Sequence, residues 1–285
     1  MSEYKHIKEL LLSDATGTEG SLLLAKKIHS VLIDEVEKSL IPRSEACLYF
    51  GPADIPGSSI DVNLLVANSM DVRLVAEGTE IPLDSAEYTS FNMKPAKYGV
   101  SVRITRELLE DAQWNLHDHN VKLAGRRLAE NENSLVITGA LDNATNTVSG
   151  GAAVTIANIT RAIQYLEDTD FHPTTYFVGM EVANDLRNID TFVEFEKVGN
   201  RDMLERGFLG TIYGMNVIKV STNAGMTTTS SYVTDKSYAY AIAEKRPVTV
   251  ENFELASHDM SASAVTQRIT ARHVRADAIA KVTSS

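Results

Sequence analysis

The chain of 285 residues has one cysteine, Cys47, which excludes an intramolecular disulfide framework and any cysteine-built zinc cluster. The plain reading of that lone thiol is a small core hydrophobe. Cations are also in short supply: 27 Lys and Arg stand against 38 Asp and Glu, a formal net charge of -11. A protein that binds nucleic acid by neutralising phosphates carries the opposite balance or a dense basic patch, and neither is visible. Long apolar runs are missing. The longest near the N-terminus covers residues 22–25, far short of the ~18 that a membrane helix needs, and residues 1–5 lack the basic region of a signal peptide. No membrane partner is therefore expected, and synthesis and assembly are expected in a cytoplasm.

Catalytic signatures are absent as well. There is no GxSxG elbow, no Walker sequence, no GxGxxG and no HExxH. His117-x-His119 invites a metal reading, but two residues apart on a helix point ~200° from each other, so one ion could not use both. Gly207, Gly210 and Gly214 lie between expected strands with no following helix to form a phosphate cradle. The carboxylate pairs Glu110-Asp111 and Asp84 with Glu87 read as solvated helix and loop charges. Arg126-Arg127 could touch phosphate, but neighbouring Glu130 and Glu132 partly cancel that field. No catalytic, cofactor-binding or metal-ligating residue is assigned, no cofactor is expected, and the chain is read as a non-enzyme.

What is present is an ordinary globular composition, 44% apolar and 23% charged, in a chain long enough for one large domain or two small ones. Residues 1–45 read as an arm with helical pieces at 4–12 and 21–40, the second striped by Leu24, Ile28, Val31, Leu32 and Val36 and stopped by Pro42. Residues 46–104 are β-rich. Val72, Leu74 and Ala76 alternate with Asp71 and Arg73, 77–80 form a turn, and 88–93 run back, so 66–97 reads as a long hairpin with little core of its own. Tyr98, Val100, Val102 and Ile104 then alternate cleanly with Gly99, Ser101 and Arg103. Thr105 is placed to cap a short helix over 106–112.

The strongest helical signal runs from 115 to 138. Val121, Ala124, Leu128 and Leu135 share one face, and Gly139 stands where a C-cap belongs; the helix would be about 36 Å long. Residues 140–151, rich in Asn, Thr, Ser and Gly, read as a linker between subdomains. Beyond it the pattern predicts helices over 159–168 and 181–189, and a charged loop over 190–207. Strands are predicted over 174–178, 212–220, 232–234, 239–244 and 248–252, and in two pieces over 267–282.

This order of parts resembles the Hong Kong 97-type major capsid protein of tailed bacteriophages and related archaeal viruses. Three local stretches carry the likeness. Lys97-Tyr98-Gly99-Val100-Ser101-Val102-Arg103-Ile104-Thr105-Arg106-Glu107-Leu108-Leu109-Glu110-Asp111-Ala112 is similar to the family's entry into its spine helix. Ala129-Glu130-Asn131-Glu132 followed by Leu135-Val136-Ile137-Thr138-Gly139 resembles that helix's end. Gly207-Phe208-Leu209-Gly210-Thr211-Ile212-Tyr213-Gly214-Met215-Asn216-Val217-Ile218 resembles a glycine-punctuated strand entry. The likeness spans about residues 15–282.

The resemblance implies an α+β, Hong Kong 97-like capsid fold. Its parts would be an N-terminal arm at 1–45, an extended-loop region at 46–98, a peripheral domain with the spine helix at 99–139 and 251–285, and a mixed α/β axial domain at 140–250. It implies hexamers and pentamers of the chain itself in an icosahedral virion shell around double-stranded DNA, without sequence-specific contacts. Portal and decoration proteins are implied partners. Because the arm starts almost at Met1, scaffolding is expected from a separate protein. Some relatives join subunits through a Lys–Asn isopeptide bond from the extended loop. Residues 76–84 contain no Lys, and Lys94 and Lys97 sit at the hairpin base, so no such link is expected. The acidic balance suits a shell filled by a motor, which needs no cationic inner wall. Two alternatives stay open: an encapsulin-type nanocompartment around cargo protein, and a cytoplasmic α/β enzyme on a small molecule. Neighbouring genes separate the first, and particle size the second.

Overall fold

The computed structural model describes residues 43–65, 72–75, 77–81, 83, 85–111, 116–189, 210–255, 257 and 259–284. The helices expected over 4–12 and 21–40 and the loop expected over 190–207 lie outside these residues. In chain order the elements are β1 (Leu48–Phe50), β2 (Ile60–Leu65), β3 (Tyr88–Met93), β4 (Ala96–Thr105), α1 (Arg106–Asp111), α2 (Leu116–Gly139), β5 (Asn146–Ser149) and α3 (Ile156–Glu167). They continue with β6 (Thr175–Val178), α4 (Met180–Asn188), β7 (Thr211–Ile212), β8 (Met215–Lys219), β9 (Ser230–Thr234), β10 (Tyr240–Leu255), β11 (Met260–His273) and β12 (Ile279–Thr283). The strands form a four-stranded sheet ordered β1-β10-β11-β4, a six-stranded sheet ordered β5-β12-β9-β6-β8-β7, and a two-stranded hairpin of β2 and β3.

The spine helix α2 covers one face of the four-stranded sheet. Val121, Ala124 and Leu128 pack on Val265 of β11, Val100 and Val102 of β4, and Val248 and Val250 of β10. This is the stripe read from the sequence, met by the inward positions of a strand with period two. The helix begins after α1, whose Leu108 amide donates to Thr105 Oγ1 at 3.4 Å, the expected cap. Gly139 plays another part than the one its position suggests. It is the last residue of α2 and no left-handed cap; a Cβ there would lie 2.6 Å from the Ala271 carbonyl oxygen of β11, so only glycine lets helix and strand approach.

The six-stranded sheet is covered on both faces. β6 and β9 are buried at every position. Ile159, Ala162 and Leu166 of α3 and Val182, Ala183 and Leu186 of α4 pack with Tyr176, Val178 and Val233 on one side. On the other side Phe177 and Tyr232 join Val136 and Ile137 of α2 and Tyr240, Ile242 and Ile269 of the four-stranded sheet, so one apolar cluster joins the two sheets.

Further sequence expectations change, among them the strand expected over 212–220, which is two antiparallel strands, β7 and β8. Residues 140–151 are no free linker, because β5 pairs in parallel with β12 at the sheet edge. The strands expected at 239–244 and 248–252 are one strand, β10, whose register against β11 shifts between Glu244 and Thr249 around Pro247, which has no N–H to give to a ladder. The segment boundary at 250 therefore falls inside β10, and β12 lies in the six-stranded sheet rather than with residues 99–139. The first strand of the long hairpin is Ile60–Leu65, paired from Ile60 opposite Met93 to Leu65 opposite Tyr88; residues 72–75 form no strand, since alternation without a partner strand has nothing to bond to. The turn at 77–80 is present, with Gly78 at φ +82°.

Candidate functional site at the hairpin root and the arm root

The hairpin of β2 and β3 lies on the face of the four-stranded sheet opposite α2. A small apolar cluster holds it there: Ile55 and Met93 against Ala241 and Ala243 of β10, flanked by Phe50, Ile60, Val62 and Phe91. Around this seam four cations of β10, β11 and the turn after β11 donate to backbone carbonyls. Arg268 Nη2 reaches Pro95 O at 3.3 Å, Arg272 Nη1 reaches Asn92 O at 2.9 Å, and Arg275 Nη2 reaches Leu65 O at 2.7 Å. Lys245 Nζ donates to Ile55 O. Charge-assisted donors fix the angle at which the hairpin leaves the body, where so few apolar contacts could not. Arg272 also stacks over Phe91, 5.6 Å from the ring centroid.

Beyond this root the loop carries aliphatic side chains that are exposed among the described residues. Val72 is 104% exposed, Leu74 103%, Leu83 96% and Ile81 72%. Single exposed apolar residues need no explanation, but four on one loop form an apolar patch of the kind that often marks an interaction surface.

The second feature is a buried polar network at Arg43, where the arm meets the body. Glu132 of α2 and Glu244 of β10 are 2% and 4% exposed. Arg43 forks onto Glu132 through Nε (2.9 Å) and Nη2 (3.0 Å), and its Nη1 reaches Glu244 at 2.9 Å. Gln267 Nε2 bridges the two carboxylates at 3.0 Å each. The Tyr49 hydroxyl donates to Glu244. Burial by itself lowers the proton affinity of Arg43, but its bond to Glu132 and the charges of Glu132 and Glu244 more than offset this and raise it above the ordinary value. Tyr49 is pushed up to about 12, first by burial and then by its bond to Glu244.

The sequence reading missed both features, and it weighed Glu132 only as a charge that offsets Arg126-Arg127. A signal existed: Glu132 follows Leu128 by four residues, on the same stripe as Val121 and Ala124, and a carboxylate on an apolar face demands a buried partner. Arg268 and Arg272 likewise alternate with the inward-facing Ile269 and Ala271 on β11. Of the residues weighed for chemistry, Cys47 is half-buried, and burial pushes its thiol up to about 11, which keeps it protonated and suits the packing role. His117 and His119 both fall on α2, and among the described residues no group of three or more His, Cys, Asp or Glu could hold a metal. Gly210 and Gly214 adopt φ +52° and +81° around the β7–β8 turn, where a strand and not a helix follows. Arg127 is exposed and pairs with Glu130 at 3.0 Å, and Lys94 and Lys97 are exposed at the hairpin base.

Comparison with known proteins gives these features a setting. No protein of curated function matches the chain. Its fold is similar to that of a solved structure from Gordonia phage Cozz, with a TM-score of 0.67 and 13% identity over 87% of this chain and 86% of that one. It is similar also to one from Microbacterium phage Oxtober96, with a TM-score of 0.62 and 17% identity over 85% of this chain and 91% of that one. A virus-like particle from Pyrococcus furiosus matches with a TM-score of 0.60 and 14% identity, over 91% of this chain and 99% of that one. The sequence profile described as phage capsid protein matches residues 88–282, from β3 through β12. The chain belongs to the phage capsid protein family, and its α+β architecture is the Hong Kong 97-like capsid fold.

Proposed function

We propose that this chain is a major capsid subunit that assembles as hexamers and pentamers into an icosahedral shell around double-stranded DNA, with no catalytic residue and no covalent cross-link. Membership of the phage capsid family makes it a shell protein of the virion. The observation that carries the finer reading is the loop beyond the hairpin, whose Val72, Leu74, Ile81 and Leu83 have no cover among the described residues. In this reading a second copy supplies that cover, because a symmetric assembly of one chain brings the same neighbouring surface to the same loop on every subunit. In this reading the six-stranded body is the axial domain, α2 with the four-stranded sheet is the peripheral domain, and assembly in the host cytoplasm uses a separate scaffold and a portal. The acidic balance of the chain, -11, agrees with a genome delivered by a motor rather than gathered by the shell.

Negative-stain imaging of the expressed chain, with scaffold supplied, tests the reading: closed icosahedral particles are expected. Deleting residues 76–84 should leave the subunit folded and abolish or misdirect the shell. Stable monomers of the intact chain under all salt conditions would refute self-assembly, and normal shells from the deletion variant would refute the role of the loop. The likeness to the virus-like particle from Pyrococcus furiosus supports one other reading, a compartment around cargo protein. Particles purified from their natural source and filled with protein instead of DNA would decide for it.

A further inference from the structure

Three cations stand side by side across the four-stranded sheet. Arg246 of β10 is paired with Arg268 of β11, and Arg268 with Lys97 of β4, all in direct register. Neighbouring strands lie about 4.8 Å apart, so the row spans about 10 Å. The pairing also fixes its face. Val265 and Val100 turn toward α2, so Arg268 and Lys97, three residues away on their strands, turn to the hairpin side. The shifted register of β10 between Glu244 and Thr249 brings Arg246 to that side too, where its Nη2 meets Thr266 Oγ1 at 2.9 Å. Like charges directly opposite each other destabilise a sheet, and no anion among the described residues offsets these three. Arg268 has only the Pro95 carbonyl, at 3.3 Å, and Arg246 only the Thr266 hydroxyl, both neutral. Arg246 Nε is buried and has no acceptor. Lys97 is exposed, and among the described residues none of the three cations has a carboxylate in ion-pair contact. Glu251, on the same side of β10, stands opposite Ala264, four residues or about 14 Å along β11 from Arg268.

We propose that the row of Arg246, Arg268 and Lys97 is a docking seat for carboxylates of a second copy of this chain. Charge decides the occupant. Asp and Glu outnumber Lys and Arg by 38 to 27, so a neighbouring copy offers carboxylates in excess to any cationic surface it meets. A carboxylate on the row relieves the repulsion between strands and adds a charged acceptor beside donors that now have neutral partners or none. The row therefore costs stability in the free subunit and returns it in the assembly. This inference rests on the self-assembly proposed above and adds where one contact between copies is made and by what chemistry.

Light scattering of the full chain, with scaffold supplied, gives the protein concentration at which particles form and tests the proposal. Lys97→Gln should raise that concentration about threefold and Lys97→Glu about tenfold, while Lys97→Arg stays near native. The free Lys97→Gln subunit should unfold at the native denaturant midpoint or above it, because one of three like charges is gone. A purely structural Lys97 predicts the reverse, a weaker subunit with assembly lost only in proportion. Raising NaCl from about 0.1 M to about 0.5 M should weaken assembly more in the native chain than in Lys97→Gln. Native-like particle formation by folded Lys97→Gln and Lys97→Glu overturns the proposal and leaves self-assembly standing. Native assembly that salt does not weaken overturns it even if the variants fail to fold. A native chain that forms no particles overturns self-assembly, and this inference with it. Short double-stranded DNA that binds the native subunit and not Lys97→Gln would assign the row to phosphates and overturn the carboxylate reading.

Discussion

The six-stranded body and the extended hairpin are built on opposite principles. The body satisfies itself: β6 and β9 are buried at every position, α3 and α4 close one face, and α2 with the four-stranded sheet closes the other. The hairpin has two strands, a small apolar root and four cation-to-carbonyl bonds, and then a loop whose aliphatic side chains meet solvent. An isolated two-stranded hairpin is marginal in water, so the contrast separates the part that folds by itself from the part that depends on what it rests against. The proposed reading gives stability to the first region and assembly to the second.

Substitutions in the two regions should therefore fail in different ways. The largest loss of stability is expected from Phe177→Ala in the body, whose ring is 0% exposed between the two sheets. It should cost ~3–5 kcal/mol in denaturant unfolding at fixed protein concentration. Leu128→Ala, in the middle of the spine stripe, should cost ~2–5 kcal/mol; a value near zero would mean that the face of α2 is misassigned. Gly139→Ala should cost ~1–3 kcal/mol, because the new methyl meets the Ala271 carbonyl and helix or strand must move. The loop variant Val72→Ser, Leu74→Ser, Ile81→Ser, Leu83→Ser should change stability by less than ~0.5 kcal/mol per site, as exposed positions do, and still prevent shells from closing. Unfolding of that variant would erase the division between the regions.

The smallest effect expected is electrostatic. Asp142 is held below the usual carboxylate range: partial burial opposes this, but hydrogen bonds from Lys281 (2.8 Å) and Tyr232 (2.6 Å) outweigh it. A lowered carboxylate contributes stability above its unfolded value and loses it as pH falls through the folded one. Thermal melts of Asp142→Asn should match the native chain more closely under acid than at pH 7.

The sequence shows clearly the parts whose partners are near in the chain or periodic along it. The stripe of Val121, Ala124 and Leu128, the alternation of β4 and the Thr105 cap are local patterns, and each is present. What stayed hidden depends on distant partners. Glu132 is bonded to Arg43, 89 residues away, and to Gln267, 135 residues away. Gly139 is explained only by the passage of Ala271, and the parallel pairing of β5 with β12 joins residues 146–149 to the far end of the chain. Val72 and Leu74 show the converse case, since a strand-like alternation becomes a strand only where another strand lies beside it.

Hydrogen exchange of the loop around residues 72–83, compared between the free subunit and the assembled shell, tests the division most directly. Slow exchange of β6 and β9 in both forms, with the loop fast in the subunit and strongly protected in the shell, is the predicted result. A loop equally fast in both forms would contradict it, because the exposed aliphatic side chains would then have no partner in the particle.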